Sequence, residues 1–488
     1  MIKRYSFMVA LSSLLMVHDA IGLPEANSIE FSNCMLSLPG TPYTAPARCG
    51  FLRVPENPDD PDGRHIDIHV AVASATSTET AADPVFFFAG GPGQAASETW
   101  VMMRGTLDKI RKQRDIVMID QRGTGQSNKL QCTVPEDLDP WQDFDMDAVV
   151  GLTQECLETL DGDPRFYTTT IAMRDYDLVR QAMGYQRINL MGVSYGTRAA
   201  QVYLRNYPEA VRSVTLDSVL PMQLALGQEH AAMLDRAVAL VFEDCRQEPL
   251  CSERFGEGLD GIYPLFEALR EAPRPTSMVN PVTGVREDIK VDADMLAAAL
   301  RFLSYSSETQ AMLPLLVHEA VTTGRLERIA AQALLVMQGL NEMLAKGMEL
   351  SVLCSEDYPY FSHDPNDSTT LMGDLFGRII QAQCEVWPKG EVPSGFHDPV
   401  RSDTPVLLIS GERDPVTPPM YADRVAETFE NSLNLVARGQ SHSLMKHACL
   451  KKITTEFIAQ GSAHGLDIAC VERIGPSPFF TSLLGPNP

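Results

Sequence analysis

The sequence has few basic residues for its length. Its 488 residues include 40 Lys and Arg against 64 Asp and Glu, a formal net charge of -24 at pH 7. A chain with this charge is expected to repel nucleic acids and anionic membrane surfaces. We therefore expect no nucleic-acid partner. The hydrophobic content of 44% and the charged content of 21% are otherwise ordinary for a globular protein.

Beyond its start, the sequence has no apolar run of the roughly 20 residues that a bilayer crossing needs. The start itself has the three parts of a secretory signal peptide: basic residues 3–4, an apolar stretch at 7–17 and small residues at 20–22. His18 and Asp19 end the apolar stretch too early for a membrane anchor. We predict cleavage near Gly22, a secreted or periplasmic location and no stable membrane insertion.

The ten cysteines include no Cys-x-x-Cys pair of the kind that binds metal ions, and we predict no metal site. An even number of cysteines suits an oxidising compartment, although scattered buried thiols are the alternative. If cysteines that are neighbours in the sequence pair, the bridges are Cys34 with Cys49, Cys132 with Cys156, Cys245 with Cys251, Cys354 with Cys384, and Cys449 with Cys470.

Strand and helix patterns alternate over much of the chain, which is typical of an α/β fold with a parallel, doubly wound sheet. One strand, at residues 65–72, alternates polar and apolar residues as antiparallel strands do, and its His65 and His69 are expected to face solvent. Strands buried on both faces are predicted from continuous apolar runs at 83–89, 115–120, 188–191, 211–216 and 405–410.

Between the strands at 211–216 and 405–410 the pattern changes, and helical spacing dominates without a convincing strand. We interpret this segment as a helical cap inserted over the active edge of the sheet. The predicted division is a signal peptide at 1–22, a first core part at 23–220, the cap at 221–399, a second core part at 400–475 and a tail at 476–488.

A sharp turn at Gly192-Val-Ser194-Tyr195-Gly196 joins a predicted strand to a predicted helix. A serine at the tip of such a turn is held in a strained conformation, and glycines on both sides remove Cβ atoms that would collide with the neighbouring backbone. The backbone N–H of Tyr195 begins the helix, where the dipole favours negative charge. Ser194 is therefore the candidate nucleophile.

Two glycine-rich loops follow other predicted strands. Residues 90–93, Gly-Gly-Pro-Gly, can supply backbone N–H groups to a developing anion. Residues 120–127 do not form a phosphate-binding loop, because no helix with a Gly-Lys-Ser/Thr start follows, and the glycines are not spaced as in a dinucleotide fingerprint. We predict that no cofactor is required.

Ser194, Asp414 and His442 each lie in a loop just after a predicted parallel strand, at the sheet edge where sites assemble. This chain order is the one that the α/β-hydrolase fold uses. Imidazole can take the serine proton near neutral pH, and a buried carboxylate fixes its tautomer. Asp217, which also follows a strand, is the rival acid, and His447, predicted to lie inside the last helix, is the rival base.

Five separate segments resemble the α/β-hydrolase peptidases of the prolyl iminopeptidase and tripeptidyl aminopeptidase group, and residues 352–357 resemble the tripeptidyl aminopeptidase branch. They are residues 90–93, residues 120–127, the Ser194 turn, the Asp414 loop and His442. The resemblance implies removal of one or a few residues from a free peptide N-terminus through an acyl-enzyme on Ser194. It also implies an oxyanion hole formed by the backbone of Tyr195, Gly90 and Gly91. Prolyl iminopeptidases usually have histidine where this chain has Ala89, which argues against strict proline specificity.

An exopeptidase needs a carboxylate for the substrate ammonium and a lid that excludes longer chains. Glu356 and Asp357 are the candidates for the carboxylate, although they could equally stabilise the turn before Tyr358. Arg122 is expected to brace the loops around the site.

The alternatives to an exopeptidase are a carboxylesterase or lipase, which the same triad would serve, and a non-catalytic binding protein. Dehalogenase and epoxide hydrolase activities are disfavoured, because those enzymes need an acid at the position of Ser194.

Overall fold

The computed structural model describes residues 28–132 and 146–486; the predicted signal peptide lies outside these residues. The strands are β1 Ser32–Ser37, β2 Thr44–Pro55, β3 His65–Ala73, β4 Val85–Phe88, β5 Ile116–Ile119, β6 Ile188–Val193, β7 Val211–Asp217, β8 Arg274–Val279, β9 Arg286–Val291, β10 Val406–Gly411, β11 Ser432–Ala437, β12 Phe480–Ser482 and β13 Gly485–Pro486.

The helices divide between the sheet and the insertion that follows β7. They are α1 Ala96–Met103, α2 Asp108–Arg111, α3 Met146–Thr159, α4 Thr169–Ala182, α5 Tyr195–Asn206, α6 His230–Gln247, α7 Pro249–Leu259, α8 Ile262–Glu271, α9 Ala293–Leu303, α10 Ser307–Gln310, α11 Leu313–Thr323, α12 Glu327–Met343, α13 Lys346–Val352, α14 Leu375–Val386, α15 Pro419–Ala426 and α16 Ala448–Gln460.

Nine strands form one sheet in the order β1-β2-β3-β5-β4-β6-β7-β10-β11. The strands from β5 to β11 in that order run parallel, and β1, β2 and β3 extend the sheet antiparallel at one edge. Every residue of β4, β5, β6 and β10 is buried, as expected for strands covered on both faces. The predicted α/β sheet is confirmed.

Helices cover both faces of this sheet. Side chains of α4, α5 and α15 share one hydrophobic core with one face of the sheet. Side chains of α1 and α16 share a second core with the other face. Because β4, β6, β10 and β11 run in the same direction, their carboxyl ends lie at one edge of the sheet, where the loops that follow them can converge.

The cap, here the segment between β7 and β10, has a hydrophobic core of its own built mainly from α6 to α9, α11 and α12. Its helical character is confirmed, but the expectation that it lacks strands is wrong. Strands β8 and β9 form an antiparallel hairpin in which Thr276 pairs with Ile289. Only three of the hairpin's side chains are buried: Met278, Ile289 and Val291. The apolar pattern of each strand is therefore too short to predict the strand.

The sheet edge differs from the sequence analysis in two respects. Strand β1, which no sequence pattern predicted, pairs with β2. His69 does not face solvent: it is buried, and its Nδ1 lies 2.8 Å from Oδ2 of Asp120. Strand alternation places His69 correctly on one face of β3, but the chain around Phe51 and Asp120 covers that face.

All five sequential cysteine pairs form disulfides. The bridges are Cys34–Cys49, Cys132–Cys156, Cys245–Cys251, Cys354–Cys384 and Cys449–Cys470. Each closes a local loop within the core or within the cap, except that Cys132 and Cys156 flank the segment that is not described. Among the described residues, no helix has the length and apolarity of a membrane-spanning segment.

Candidate active site

Ser194 lies at the turn between β6 and α5 with φ 57° and ψ -126°, a backbone conformation that is rare for residues other than glycine. The turn is tight because its glycines allow close backbone contacts. A Cβ on Gly192 would overlap the carbonyl oxygen of Gly196, and a Cβ on Gly196 would overlap the carbonyl oxygen of Phe88. The predicted strand, turn and helix around Ser194 are therefore present with the expected strain.

The glycine loop after β4 lies directly beside Ser194. A Cβ on Gly90 would be 3.2 Å from Cβ of Ser194. Gly91 has φ 102°, which favours glycine, and the peptide bond to Pro92 is cis. Tyr195 is the first residue of α5, so its N–H belongs to the unpaired first turn of that helix. Tyr195 and Gly90 therefore lie directly beside the candidate nucleophile, and the role of Tyr195, Gly90 and Gly91 as an oxyanion hole stays a prediction.

The buried Asp414 and the partly buried His442 form a pair at the same sheet edge, in the loops after β10 and β11. Nδ1 of His442 lies 2.7 Å from Oδ2 of Asp414. The Asp414 carboxylate also accepts the backbone N–H groups of Val416 and Thr417 at 2.8 and 2.9 Å and the Thr417 hydroxyl at 2.8 Å. These bonds fix the carboxylate so that it can hold one tautomer of the imidazole.

The interaction between Asp414 and His442 changes the pKa of each group in the direction expected for a general base and the carboxylate that orients it. Burial would raise the pKa of Asp414, but His442 and the backbone donors outweigh it, and the pKa is lowered. Burial would lower the pKa of His442, but the charge of Asp414 and its hydrogen bond outweigh burial, and the pKa is raised. An imidazole with a raised pKa accepts a proton more readily.

Asp217, the rival acid, serves a different purpose. Its carboxylate accepts the backbone N–H groups of Leu444 and Met445 and the hydroxyl of Ser218. Its backbone carbonyl accepts the N–H of Ser194 at 3.0 Å. Burial raises the pKa of Asp217 to about 6, while those donors oppose the shift. Asp217 therefore holds the serine turn and the histidine loop together and does not bond to the His442 ring.

His447, the rival base, is not inside the last helix as predicted. It is the residue before α16, and Nε2 of its ring is buried without a hydrogen-bond partner among the described residues. Burial lowers its pKa, with a further contribution from Lys446. The helix begins at Ala448, just after His447, and among the described residues no acid forms a hydrogen bond with this ring.

Glu356 and Asp357 lie in a buried π-helical turn, Leu353–Asp357, that follows α13. The Glu356 carboxyl accepts the backbone N–H of Thr169 at 2.5 Å and its hydroxyl at 2.8 Å. The Thr169 hydroxyl also lies 2.6 Å from the Tyr195 hydroxyl. Burial, reinforced by the charge of Asp357, raises the pKa of Glu356 to about 8. The carboxyl is thus linked through one threonine to the residue that follows Ser194.

Asp357 has a cation partner of its own. Its Oδ1 accepts Nη1 of Arg198 at 2.6 Å and the backbone N–H of Leu226 at 2.8 Å, whereas its Oδ2 is buried without a partner among the described residues. Because Arg198 belongs to α5, this ion pair fastens the cap to the helix that begins after Ser194. A structural role for Asp357 is evident from these contacts.

Arg122 braces the loops, as the sequence predicted. Its guanidinium donates two hydrogen bonds to Asp175, at 2.7 and 2.9 Å, and one each to the carbonyls of Glu56 and Phe166. The side chain is fully buried. It joins the loop after β5 to α4 and to the end of β2, with no contact to the Asp414–His442 pair.

The sequence did not indicate the residues that the cap brings to the site. The backbone N–H of His442 donates to the carbonyl of Tyr305 at 3.2 Å, and their rings pack edge to face at 5.3 Å between centroids. Tyr305, Arg301 and His230 lie in helical or turn segments of ordinary amphipathic pattern, so no local signal separates them from other cap residues.

Two family models match this chain. The one described as alpha/beta hydrolase fold matches residues 83–246, and the one described as TAP-like protein matches residues 371–470. The first match contains Ser194, and the second contains both Asp414 and His442. The chain has the α/β-hydrolase fold, and both matches fall on that fold.

Relatives agree with this assignment. The tripeptidyl aminopeptidase of Streptomyces coelicolor is 25% identical over 477 residues, which cover 89% of this chain and 84% of that protein. The serine protease Hip1 of Mycobacterium tuberculosis is 27% identical over 220 residues, 42% of this chain and 41% of its own. Carboxylesterase B of Mycobacterium tuberculosis is 27% identical over 271 residues, 51% of each chain. This α/β-hydrolase is a serine hydrolase similar to the tripeptidyl aminopeptidase group.

Proposed function

We propose that this α/β-hydrolase is an exported serine exopeptidase that removes one or a few residues from free peptide N-termini. The observation that carries the proposal is the 2.7 Å contact between Nδ1 of His442 and Oδ2 of Asp414, at the sheet edge where Ser194 turns out of β6. The similarity to a tripeptidyl aminopeptidase over 89% of the chain supports a peptide as the substrate.

In this mechanism, Oγ of Ser194 attacks the carbonyl carbon of the scissile bond while Nε2 of His442 takes the hydroxyl proton. The tetrahedral intermediate then breaks the C–N bond, and His442 returns the proton to the leaving nitrogen. Water attacks the acyl-enzyme by the same route and regenerates Ser194. Asp414 stays ionised throughout and stabilises the imidazolium, which agrees with its lowered pKa.

The backbone N–H groups of Tyr195 and of the loop at Gly90 and Gly91 are proposed to stabilise the oxyanion. The closeness of Gly90 to Cβ of Ser194 supports this role. Donors placed in advance where charge develops contribute most in a water-excluded site. A side chain at position 90 would contact Ser194. Glycine is therefore needed there for the loop backbone to approach Ser194 closely, as the proposed oxyanion hole requires.

The substrate ammonium is proposed to bind Glu356. Asp357 is paired with Arg198, whereas the hydrogen bonds that the Glu356 carboxyl accepts within the described residues come from the two donors of Thr169. A carboxyl with a pKa of about 8 carries a proton near neutral pH, and an ammonium placed beside it would favour the ionised form. Glu356→Gln is expected to raise KM for substrates with a free amine and to change kcat less. An unchanged KM would remove Glu356 from the binding site.

A matched substrate pair tests the exopeptidase proposal. A tripeptidyl chromogenic amide with a free amine is expected to turn over, and the same compound with an acetylated amine is not. Ser194→Ala should abolish turnover, and a fluorophosphonate probe should label wild type but not Ser194→Ala. Equal rates on the free and acetylated compounds would contradict an exopeptidase.

A carboxylesterase is the second candidate, favoured by the similarity of half the chain to carboxylesterase B. The same serine, histidine and hole would cleave a simple ester. Hydrolysis of p-nitrophenyl esters, with no turnover of any free-amine peptide amide, would establish this alternative.

Export is proposed from the predicted signal peptide and from the five disulfides, which persist in oxidising compartments. Fractionation of cells that express the full-length chain, followed by N-terminal sequencing, tests it. The expected product lies outside the cytoplasm and begins near residue 23. A cytoplasmic product that keeps residues 1–22 would contradict export.

A further inference from the structure

The cap places an arginine beside the residues that contact His442. Arg301 lies in α9, one helical turn before Tyr305, and its Nη2 donates to the Tyr305 hydroxyl at 3.3 Å. The guanidinium carbon lies 5.9 Å from the Tyr305 ring centroid and 5.7 Å from that of Phe376. Tyr305 in turn packs on the His442 ring. Arg301 is thus held over aromatic rings in the second layer around the imidazole.

Arg301 has no acidic partner in the part of the chain that the structure describes, although the chain has 64 acidic residues. Its Nη1 is buried and makes no hydrogen bond within that part. A buried charged donor without a partner is unfavourable, so proteins usually pair it. Three fully buried arginines follow that rule: Arg122 pairs with Asp175, Arg198 with Asp357 and Arg413 with Asp244.

Two further cap side chains show the same property. Nη1 of Arg236 and Nδ1 of His230 are buried without a hydrogen-bond partner among residues 28–132 and 146–486. Burial lowers the pKa of Arg236, while the nearby Asp414 and Glu412 act against that shift. Burial and the charge of Arg301 lower the pKa of His230, which keeps its ring neutral. The cap therefore presents two cations and a neutral imidazole near the Asp414–His442 pair.

The position of Arg301 relates it to one half of the substrate. In the proposed mechanism, His442 passes its proton to the leaving nitrogen, so the leaving group departs past the imidazole. Tyr305 packs on that imidazole and Arg301 donates to Tyr305, so Arg301 lies on the histidine side of the site, from which the leaving group would depart. An arginine offers five donors in a planar fork that suits a carboxylate.

We infer that Arg301 binds a carboxylate on the leaving-group side of the scissile bond, so that this serine hydrolase favours peptides with an anionic leaving group. The inference rests on the proposed exopeptidase function. The carboxylate has two possible sources: the C-terminus of a one-residue leaving group, or an Asp or Glu side chain directly after the scissile bond.

Wild-type enzyme is tested first on two peptide pairs with a free N-terminus. One pair has a single neutral leaving residue that ends in a free acid or in an amide. The other pair ends in an amide and has Glu or Gln after the scissile bond. Wild type is expected to show a kcat/KM about 10- to 100-fold higher for the charged member of at least one pair. Which pair responds identifies the source of the carboxylate.

The variants Arg301→Gln and Arg301→Lys are then compared with wild type on the same pairs. Arg301→Gln is expected to reduce the ratio of kcat/KM between charged and neutral members to about one, mainly through KM. Arg301→Lys, which keeps the charge without the fork, should recover part of the ratio. The matched control is Arg246→Gln in α6, whose half-exposed guanidinium pairs with Asp260; it should leave the ratio at the wild-type value.

The ratio of kcat/KM between charged and neutral peptides separates a binding role from a structural one. If the role of Arg301 were purely structural, its substitution would lower kcat/KM equally for both members of a pair. The inference is overturned if wild type shows no preference for either charged member, or if Arg301→Gln leaves the preference intact. It is also overturned if Arg301→Gln lowers both members alike. Failure of wild type on every free-amine substrate, including the neutral chromogenic amide, would instead contradict the proposed function itself.

Discussion

The carboxylate of Asp217 accepts the backbone N–H of Leu444 with both oxygens, at 3.0 and 2.8 Å. Its backbone carbonyl accepts the N–H of Ser194. One residue at the end of β7 therefore ties the strained serine turn to the loop that carries His442. These hydrogen bonds help to set the distance between the candidate nucleophile and its base, although Asp217 itself is neither the nucleophile nor the base.

Asp217→Asn is expected to lower kcat by about 10-fold or more and to change KM by less than about threefold. The amide keeps one acceptor oxygen, but its NH₂ group meets backbone N–H groups that need an acceptor. Since the charge of Asp217 raises the pKa of His442, its removal should move the acidic limb of the kcat/KM profile to lower pH. Asp108→Asn, on an exposed carboxylate of α2, is the control. An unmoved limb together with wild-type kcat would contradict the role.

Asp414→Asn is expected to reduce kcat by about 10³- to 10⁴-fold, because an amide donor opposite Nδ1 selects the wrong imidazole tautomer. Loss of the carboxylate also removes the contribution that raises the pKa of His442. Steady-state kinetics on the free-amine chromogenic amide measure the loss, and an unchanged thermal melting temperature shows that the variant folds. A loss below about 10-fold would mean that Asp414 does not orient the base.

Glu356 is expected to make stability depend on pH. Its pKa is about 8 in the folded protein, raised first by burial and then by the charge of Asp357, against an ordinary value of 4.5. A carboxyl with a raised folded pKa contributes stability that is fully present below pH 4.5 and is lost as pH rises through 8.

The melting temperature of wild type should therefore fall from about pH 5 to pH 8, and Glu356→Gln should reduce that fall. Differential scanning fluorimetry of both proteins across this range measures the difference. The Glu319→Gln variant, which alters a cap carboxylate paired with Arg328, serves as the comparison. Parallel curves for wild type and Glu356→Gln would show that Glu356 titrates normally.

Gly196→Ala is expected to lower the melting temperature by about 5 °C or more, or to prevent folding, because its Cβ would overlap the carbonyl oxygens of Phe88 and Ala89. Gly151→Ala is the matched control. Gly151 lies within α3 with open space around its Cβ position, and alanine favours a helix there. The change in melting temperature relative to wild type should be opposite in sign for the two variants, or much larger for Gly196→Ala than for Gly151→Ala. Equal melting temperatures would mean that the Ser194 turn is looser than described.

Local patterns were sufficient to predict the sheet and the Ser194 turn. The buried strands are continuous apolar runs, and the glycines at 192 and 196 are needed by the backbone contacts immediately around them. The hairpin β8–β9 and strand β1 were missed because they have few buried residues. His69 was misassigned because the alternation of a strand shows which residues share a face, not what covers that face.

The sequence by itself determined the α/β class, the helical cap and the three candidate catalytic residues, because each depends on neighbours in the chain or on its place after a strand. It offered the sequential cysteine pairs as one possibility, and the structure shows that they form. The tertiary structure alone decided between Asp414 and Asp217, since both follow strands and only the fold brings one carboxylate to Nδ1 of His442. It also decided that Asp357 pairs with Arg198, whereas Arg301 donates to Tyr305 and has no acidic partner among the described residues. Arg198 and Asp357 are 159 positions apart, and no local pattern encodes which cap side chain meets which loop.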